Sequence, residues 1–197
     1  MNLADKFTLL RIILAPLFFA VYLMPIPLPT GVVVALLWVI AIIAEMTDMF
    51  DGMAARRLKQ SSDFGRLFDP FADTLMQLTA FLCFVVDPNV RFPAALFLVV
   101  LYREFGILFI RNLMLRKGIA MGARISGKIK TVAYISAGGI ALFYSSLYRL
   151  GLFDTTLQLV VKIAALAAFC ISVLISVISF FDYLAEYRNA SKTTAPA

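Results

Sequence analysis

The chain has 197 residues, of which 62% are hydrophobic and 15% charged, against roughly 45–50% apolar and about 25% charged in soluble domains. A water-soluble fold of this length has too little interior to hide that much apolar surface. No histidine occurs, which excludes imidazole acid–base catalysis, haem ligation and most zinc chemistry, and leaves carboxylates as the acids, bases or metal ligands. The net charge of +6 is accounted for by membrane topology and needs no nucleic acid.

Apolar runs close to the roughly 20 residues needed to cross a bilayer recur along the chain. Phe7 to Met24 is the first. It follows Asp5 and Lys6, has no small-residue cleavage site and precedes further spans, so it reads as a retained transmembrane helix and not a signal peptide. Alternate prolines in Pro25-Ile26-Pro27-Leu28-Pro29 stop it. A second span runs from about Val32 into the Asp48 region, and the basic stretch Arg56 to Gly65 forms a turn. Ser61 or Ser62 is placed to cap a third helix, in which Pro70 is tolerated only near the start. That helix reaches about Val86, where Asp87-Pro88-Asn89 makes a tight turn. Phe92 to Met114 and Ser126 to Tyr148 are the fourth and fifth spans, and a long sixth helix reaches about Tyr187. The expectation is an all-α integral membrane protein with one polytopic domain over residues 1–189 and a disordered tail over 190–197. Cys83 and Cys170 sit inside apolar runs as small hydrophobes. No span shows a pronounced small-xxx-small stripe that would mark a contact between subunits.

Orientation follows the basic residues in short loops. Six spans leave Lys6, Arg11, Arg56, Arg57, Lys59, Arg66, Arg111, Arg116, Lys117, Arg124, Lys128, Lys130, Arg188 and Lys192 on one side, and only Arg91, Arg149 and Lys162 on the other. The basic side is expected to face the cytoplasm, with both termini there, in the inner membrane and against anionic lipid headgroups.

The most informative stretch holds acids where acids are costly. Asp48 and Asp51 are three apart, Asp69 and Asp73 four apart, so each pair shares a helix face, and the short connection is expected to make their helices antiparallel neighbours. Carboxylates gathered near hydrocarbon repel one another unless a cation compensates, and hard oxygen ligands suit magnesium, manganese or calcium. Gly52 and Ala55 permit close approach on the same helix, and Arg56 adds a guanidinium able to grip a phosphate.

Written as D-x2-D-G-x2-A-R-x8-G-x3-D-x3-D, residues 48–73 resemble the signature of the CDP-alcohol phosphotransferase family at every fixed position. The resemblance implies six transmembrane helices around a polar cavity open to the cytoplasm, and a homodimer. It implies that Asp48, Asp51, Asp69 and Asp73 hold two divalent cations, Mg2+ or Mn2+, with Asp73 the general base. It also implies that Thr47, Gly52, Arg56 and Gly65 line the site for the cytidine diphosphate moiety.

Beyond that motif, Arg103 lies deep in an apolar run, where a lone charge costs about 2.5–3.5 kcal/mol. Glu104 points about 100° away on a helix, so Arg103 is expected to face something else. Arg103, Arg111, Lys128 and Lys130 would suit an acceptor bearing a phosphate; for the last three, ordinary anchoring at the inner interface is the alternative. R-E-F-x5-R from Arg103 to Arg111, G-K-x-K-T from Gly127 to Thr131, and T-x-x-R from Thr8 to Arg11 resemble the bacterial phosphatidylglycerophosphate synthases within the same family. That likeness implies CDP-diacylglycerol and glycerol 3-phosphate as substrates, with Thr8 and Thr131 joining the cations at the acceptor phosphate. Ala4, where those enzymes usually carry proline, and Arg124 depart from the pattern. The alternatives are the same chemistry with inositol phosphate, a CDP-choline or CDP-ethanolamine transferase using diacylglycerol, or a cation-coupled transporter.

Overall fold

The computed structural model describes residues 3–58, 63–116, 125–152 and 154–193, with side chains described over 5–47, 68–115, 125–152 and 154–189. Within those limits the chain forms helices and no strand: α1 (Leu3–Leu23), α2 (Thr30–Leu58), α3 (Asp63–Val86), α4 (Ala94–Arg116), α5 (Ile125–Leu150) and α6 (Thr155–Thr193). Ser61, Ser62 and Arg124 lie outside the described residues. Among the described residues, α1, α2, α3 and α6 contain stretches long and apolar enough to cross a membrane. α4 carries Arg103, Glu104 and Arg111, and α5 dilutes its apolar run with serine, glycine and tyrosine. Both are still about 35–39 Å long at 1.5 Å per residue, more than a hydrocarbon core of about 30 Å.

Two expectations about helix ends change. Pro70 falls two turns inside α3 and not at its start, which removes one intrahelical donor beside Asp69 and Asp73. α6 continues past Tyr187 to Thr193 and takes in 190–193, assigned above to a tail; no proline interrupts the run before residue 196, so the helix propagates.

α1 packs against both α2 and α3, α5 against α6, and α4 bridges α3 and α6, with lighter contact from α5 to α3 and to α2. Among the described residues α1 therefore couples α2 to α3, which were expected to pair directly; the two still face the same cavities. Lipid tails are as apolar as the side chains, so packing and hydrogen bonds, and not escape from water, hold such a bundle. A column of aromatic rings crosses it. Tyr22 meets Phe84 edge-on at 5.6 Å, Phe84 meets Phe92 at 5.7 Å, and Phe92 stacks on Phe169 at 4.2 Å. Phe81 contacts both Phe169, at 5.1 Å, and Tyr134, at 5.2 Å. Phe105, Phe109, Val132, Ile163, Leu174 and Ile178 face outward, as lipid-contacting residues of a bundle do.

At the end opposite the aspartates, a buried polar knot ties three segments. Asp87 accepts from the Tyr22 hydroxyl (2.6 Å), Ser145 Oγ (3.3 Å) and the Asn89 backbone N–H (2.8 Å). Arg149 donates to the Tyr22 carbonyl at 2.9 Å, lies 4.5 Å from the centre of the Tyr22 ring and stands 4.0 Å from Asp87. Asp87 is thus both the turn residue the sequence indicated and the anchor of α1, α3 and α5. Asp87→Ala leaves Tyr22 and Ser145 buried without their acceptor and is expected to cost about 3 kcal/mol, read as a lower unfolding temperature in detergent; Tyr22→Phe should cost less than half of that.

Candidate active site

α3 presents Asp69, Asp73 and Gln77 at four-residue intervals, hence on one helix face. α1 meets that face with Thr8 and Arg11, one turn apart. The Thr8 hydroxyl donates to Asp69, and the Arg11 guanidinium forms an ion pair with Asp73. Arg11 is 2% exposed, whereas the Asp73 side chain is 38% exposed. The cation is sealed between helices and the carboxylate opens onto space. That space is a cavity of about 210 Å³ lined by Arg11 of α1, Asp73 of α3, Arg103 and Arg111 of α4, and Lys128 and Lys130 of α5.

α2 closes the same cavity with Ala44 and Glu45. Thr47, assigned above to the nucleotide, is buried and turns its hydroxyl onto the Ala44 carbonyl at 2.7 Å. Asp48, Asp51, Gly52 and Arg56 follow on α2, and Gly65 opens α3; their side chains lie outside the described residues. Among the described residues no group of three or more acids converges as a ligand set.

The basic wall is held together by one carboxylate. Glu104, 3% exposed, accepts from Arg103 Nη1 at 2.8 Å and from Lys130 Nζ at 3.1 and 3.3 Å. This corrects the expectation that Arg103 turns away from its neighbour. The long arginine side chain reaches Glu104 and α6 together, donating to the Ser176 carbonyl (3.1 Å) and to Ser179 Oγ (3.0 Å). Lys130 also lies 4.6 Å from the centre of the Tyr134 ring, whose hydroxyl donates to Ser176 Oγ at 2.6 Å. Arg111 donates to the Tyr183 hydroxyl at 3.1 Å. A Cβ at Gly127 would stand 2.9 Å from the same hydroxyl, so a larger residue there would shift the Tyr183 side chain. Thr131 lines the cavity and donates to the Gly127 carbonyl. Thr8 is not among the lining residues; its place is against Asp69.

The contribution of α6 was not anticipated. Ser172, Ser176, Ser179 and Tyr183 are all buried and recur at spacings of four, three and four in an otherwise apolar helix. This polar stripe faces inward to hold Arg103, Tyr134 and Arg111. Asp182, unassigned from sequence, accepts from Ser126 at 2.5 Å.

A second cavity, of about 300 Å³ and almost wholly apolar, runs between α2, α3 and α5. It shares Glu45, Met76 and Gln77 with the first, so a charged chamber and an apolar slot meet at one seam. Toward the other end of the bundle Trp38 of α2, which lines the slot, donates to Ser146 of α5 at 3.0 Å.

A family model described as CDP-alcohol phosphatidyltransferase matches residues 1–185. The chain belongs to that family. It is therefore a membrane transferase, with Asp73 and the basic wall lining one chamber. Among curated relatives, the CDP-diacylglycerol–glycerol-3-phosphate 3-phosphatidyltransferase of Treponema pallidum is 35% identical over 195 residues, covering 95% of this chain and 89% of the relative. The protein of that name in Bacillus subtilis is 33% identical, with 98% of each chain covered. That of Escherichia coli is 29% identical, with 95% of each covered.

Because Glu104 is shared by two buried cations, Glu104→Ala strands both. The expected cost is about 3–5 kcal/mol, measured as loss of folded protein on heating in detergent, and a Glu104→Ala, Arg103→Leu double variant should recover part of it.

Proposed function

We propose that this chain transfers the phosphatidyl group of CDP-diacylglycerol to glycerol 3-phosphate, yielding phosphatidylglycerophosphate and CMP. One observation carries the reading: a single cavity is lined by the carboxylate of Asp73 together with Arg111, Lys128 and Lys130, a proton acceptor in the same chamber as a site for a dianionic phosphate. The relatives of similar length named for this reaction support it. The apolar slot beside the chamber suits a donor that is polar at one end and acylated at the other.

Asp48, Asp51, Asp69 and Asp73 are the residues that would hold divalent cations, Mg2+ or Mn2+, and hard carboxylate oxygens fit that role. Asp69 and Asp73 already share one face of α3, with Thr8 and Arg11 fixing their directions. Bound there, such cations would neutralise the charge of the pyrophosphate. Arg56, Gly52, Gly65 and Thr47 are assigned to the nucleotide end of the donor.

The basic wall holds the acceptor phosphate and so brings its free hydroxyl toward Asp73. Asp73 takes the hydroxyl proton as that oxygen attacks the phosphorus carrying the diacylglycerol. A new P–O bond forms, the P–O bond to CMP breaks in line, and CMP leaves with the electron pair. Arg11 keeps Asp73 directed into the chamber throughout. The bias of Lys and Arg toward this end of the bundle supports an orientation with the chamber and both termini on the cytoplasmic face of the inner membrane.

Purified protein should release CMP from CDP-diacylglycerol only when a divalent cation and glycerol 3-phosphate are both present; faster release with inositol phosphate would reassign the acceptor. Asp73→Asn should lower turnover by about 10²–10⁴-fold, and retention of full turnover would remove it as base. Lys130→Ala should raise KM for glycerol 3-phosphate about 10–100-fold, the worth of a charge-assisted hydrogen bond, with a much smaller change in KM for the lipid donor.

A further inference from the structure

The seam between the charged chamber and the apolar slot is lined by Glu45, Met76 and Gln77. Their chemistries differ in a way that matters. An ionised carboxylate only accepts hydrogen bonds, a thioether accepts them weakly, and a primary amide supplies two N–H donors. Gln77 is therefore the side chain at this seam able to donate strongly to a neutral carbonyl. It is half-buried within a membrane-spanning helix and makes no hydrogen bond to any other described residue. Lining both cavities, its amide is placed to donate to a group bound across them.

Its position is also informative. Gln77 stands four residues beyond Asp73 on the same face of α3, a rise of about 6 Å. On the other side of it the slot continues along α3 to Phe84 and along α2 from Glu45 to Trp38, about 10 Å in each case. A phosphatidyl group has the same sequence of chemistries. Its phosphorus, a handful of bonds away its ester carbonyls, and then its acyl chains follow in order.

We infer that Gln77 donates a hydrogen bond to an ester carbonyl of the lipid donor, and so selects acyl esters over lipids that lack the carbonyl. The inference rests on the function proposed above and adds a specificity-determining residue to it. Gln77 reads the donor's glycerol esters while the phosphorus lies at Asp73 and a tail enters the slot toward Trp38.

The test compares two donors, CDP-diacylglycerol and a CDP-dialkylglycerol ether of matched chain length, with glycerol 3-phosphate as acceptor. Wild type should favour the ester by about 3–10-fold in kcat/KM, the worth of one neutral hydrogen bond. Gln77→Met, which preserves length, and Gln77→Glu, which preserves shape but removes the amide donors, should each bring that ratio close to one. KM for glycerol 3-phosphate should stay as in wild type. The ratio is measured within each variant, so partial loss of folded protein does not affect it. An unchanged ester preference in the variants overturns the inference, as does wild type using both donors equally well. Complete inactivity of two folded variants overturns it too, because one neutral hydrogen bond does not carry the whole reaction. Wild type inactive with either donor and glycerol 3-phosphate would instead overturn the proposed function.

Discussion

Charge inside a membrane bundle is tolerated only where other charges or dipoles complete it, and nearly every feature of this protein follows from how that condition is met. At the chamber end, Arg11 on α1 answers Asp73 on α3, and Glu104 on α4 is shared between Arg103 and Lys130. None of these pairs lies within a single turn of one helix except Arg103 with Glu104, and even that arginine needs α6 to complete its hydrogen bonds. The polar contacts are therefore also the bolts between helices. Since lipid supplies no hydrophobic drive for helix association, losing a bolt loosens both the fold and the chamber it frames.

The two ends of the bundle use the same physics for different purposes. Around Asp87, every partner is a protein group: Tyr22, Ser145, Asn89 and Arg149 close on it. Among the described residues that knot closes on itself. Around Asp73 and the basic wall the groups are held in place from behind but stay open in front, with Asp73 fixed by Arg11 and Lys130 by Glu104, while both still line the cavity. Preorganised groups that face a cavity from rigid helices are what a transferase of charged substrates needs, because nothing then has to reorganise when charge develops.

The apolar slot completes the logic of a membrane-resident active site. α2 leans on α1 and touches α5 only lightly, so the space between α2, α3 and α5 stays unfilled and meets the charged chamber at Gln77. A substrate with a nucleotide at one end and fatty chains at the other can lie across that seam without taking its charge into lipid or its tails into water.

Much of this was legible in the linear sequence. The six helices fall where length, proline breaks and basic loops indicated, because a bilayer imposes a span length and leaves helix as the only way to satisfy the backbone of a short segment. The acids at fixed spacing announced a shared face on α3, since helical periodicity is local. What periodicity does not encode is which faces meet. Tertiary structure decided that Thr8 and Arg11 hold Asp69 and Asp73, that Glu104 joins Arg103 to Lys130, and that a serine and tyrosine stripe on α6 braces the basic wall. Those contacts join residues far apart in the chain, and they depend on the rotation and approach of whole helices, which are set by packing all six at once.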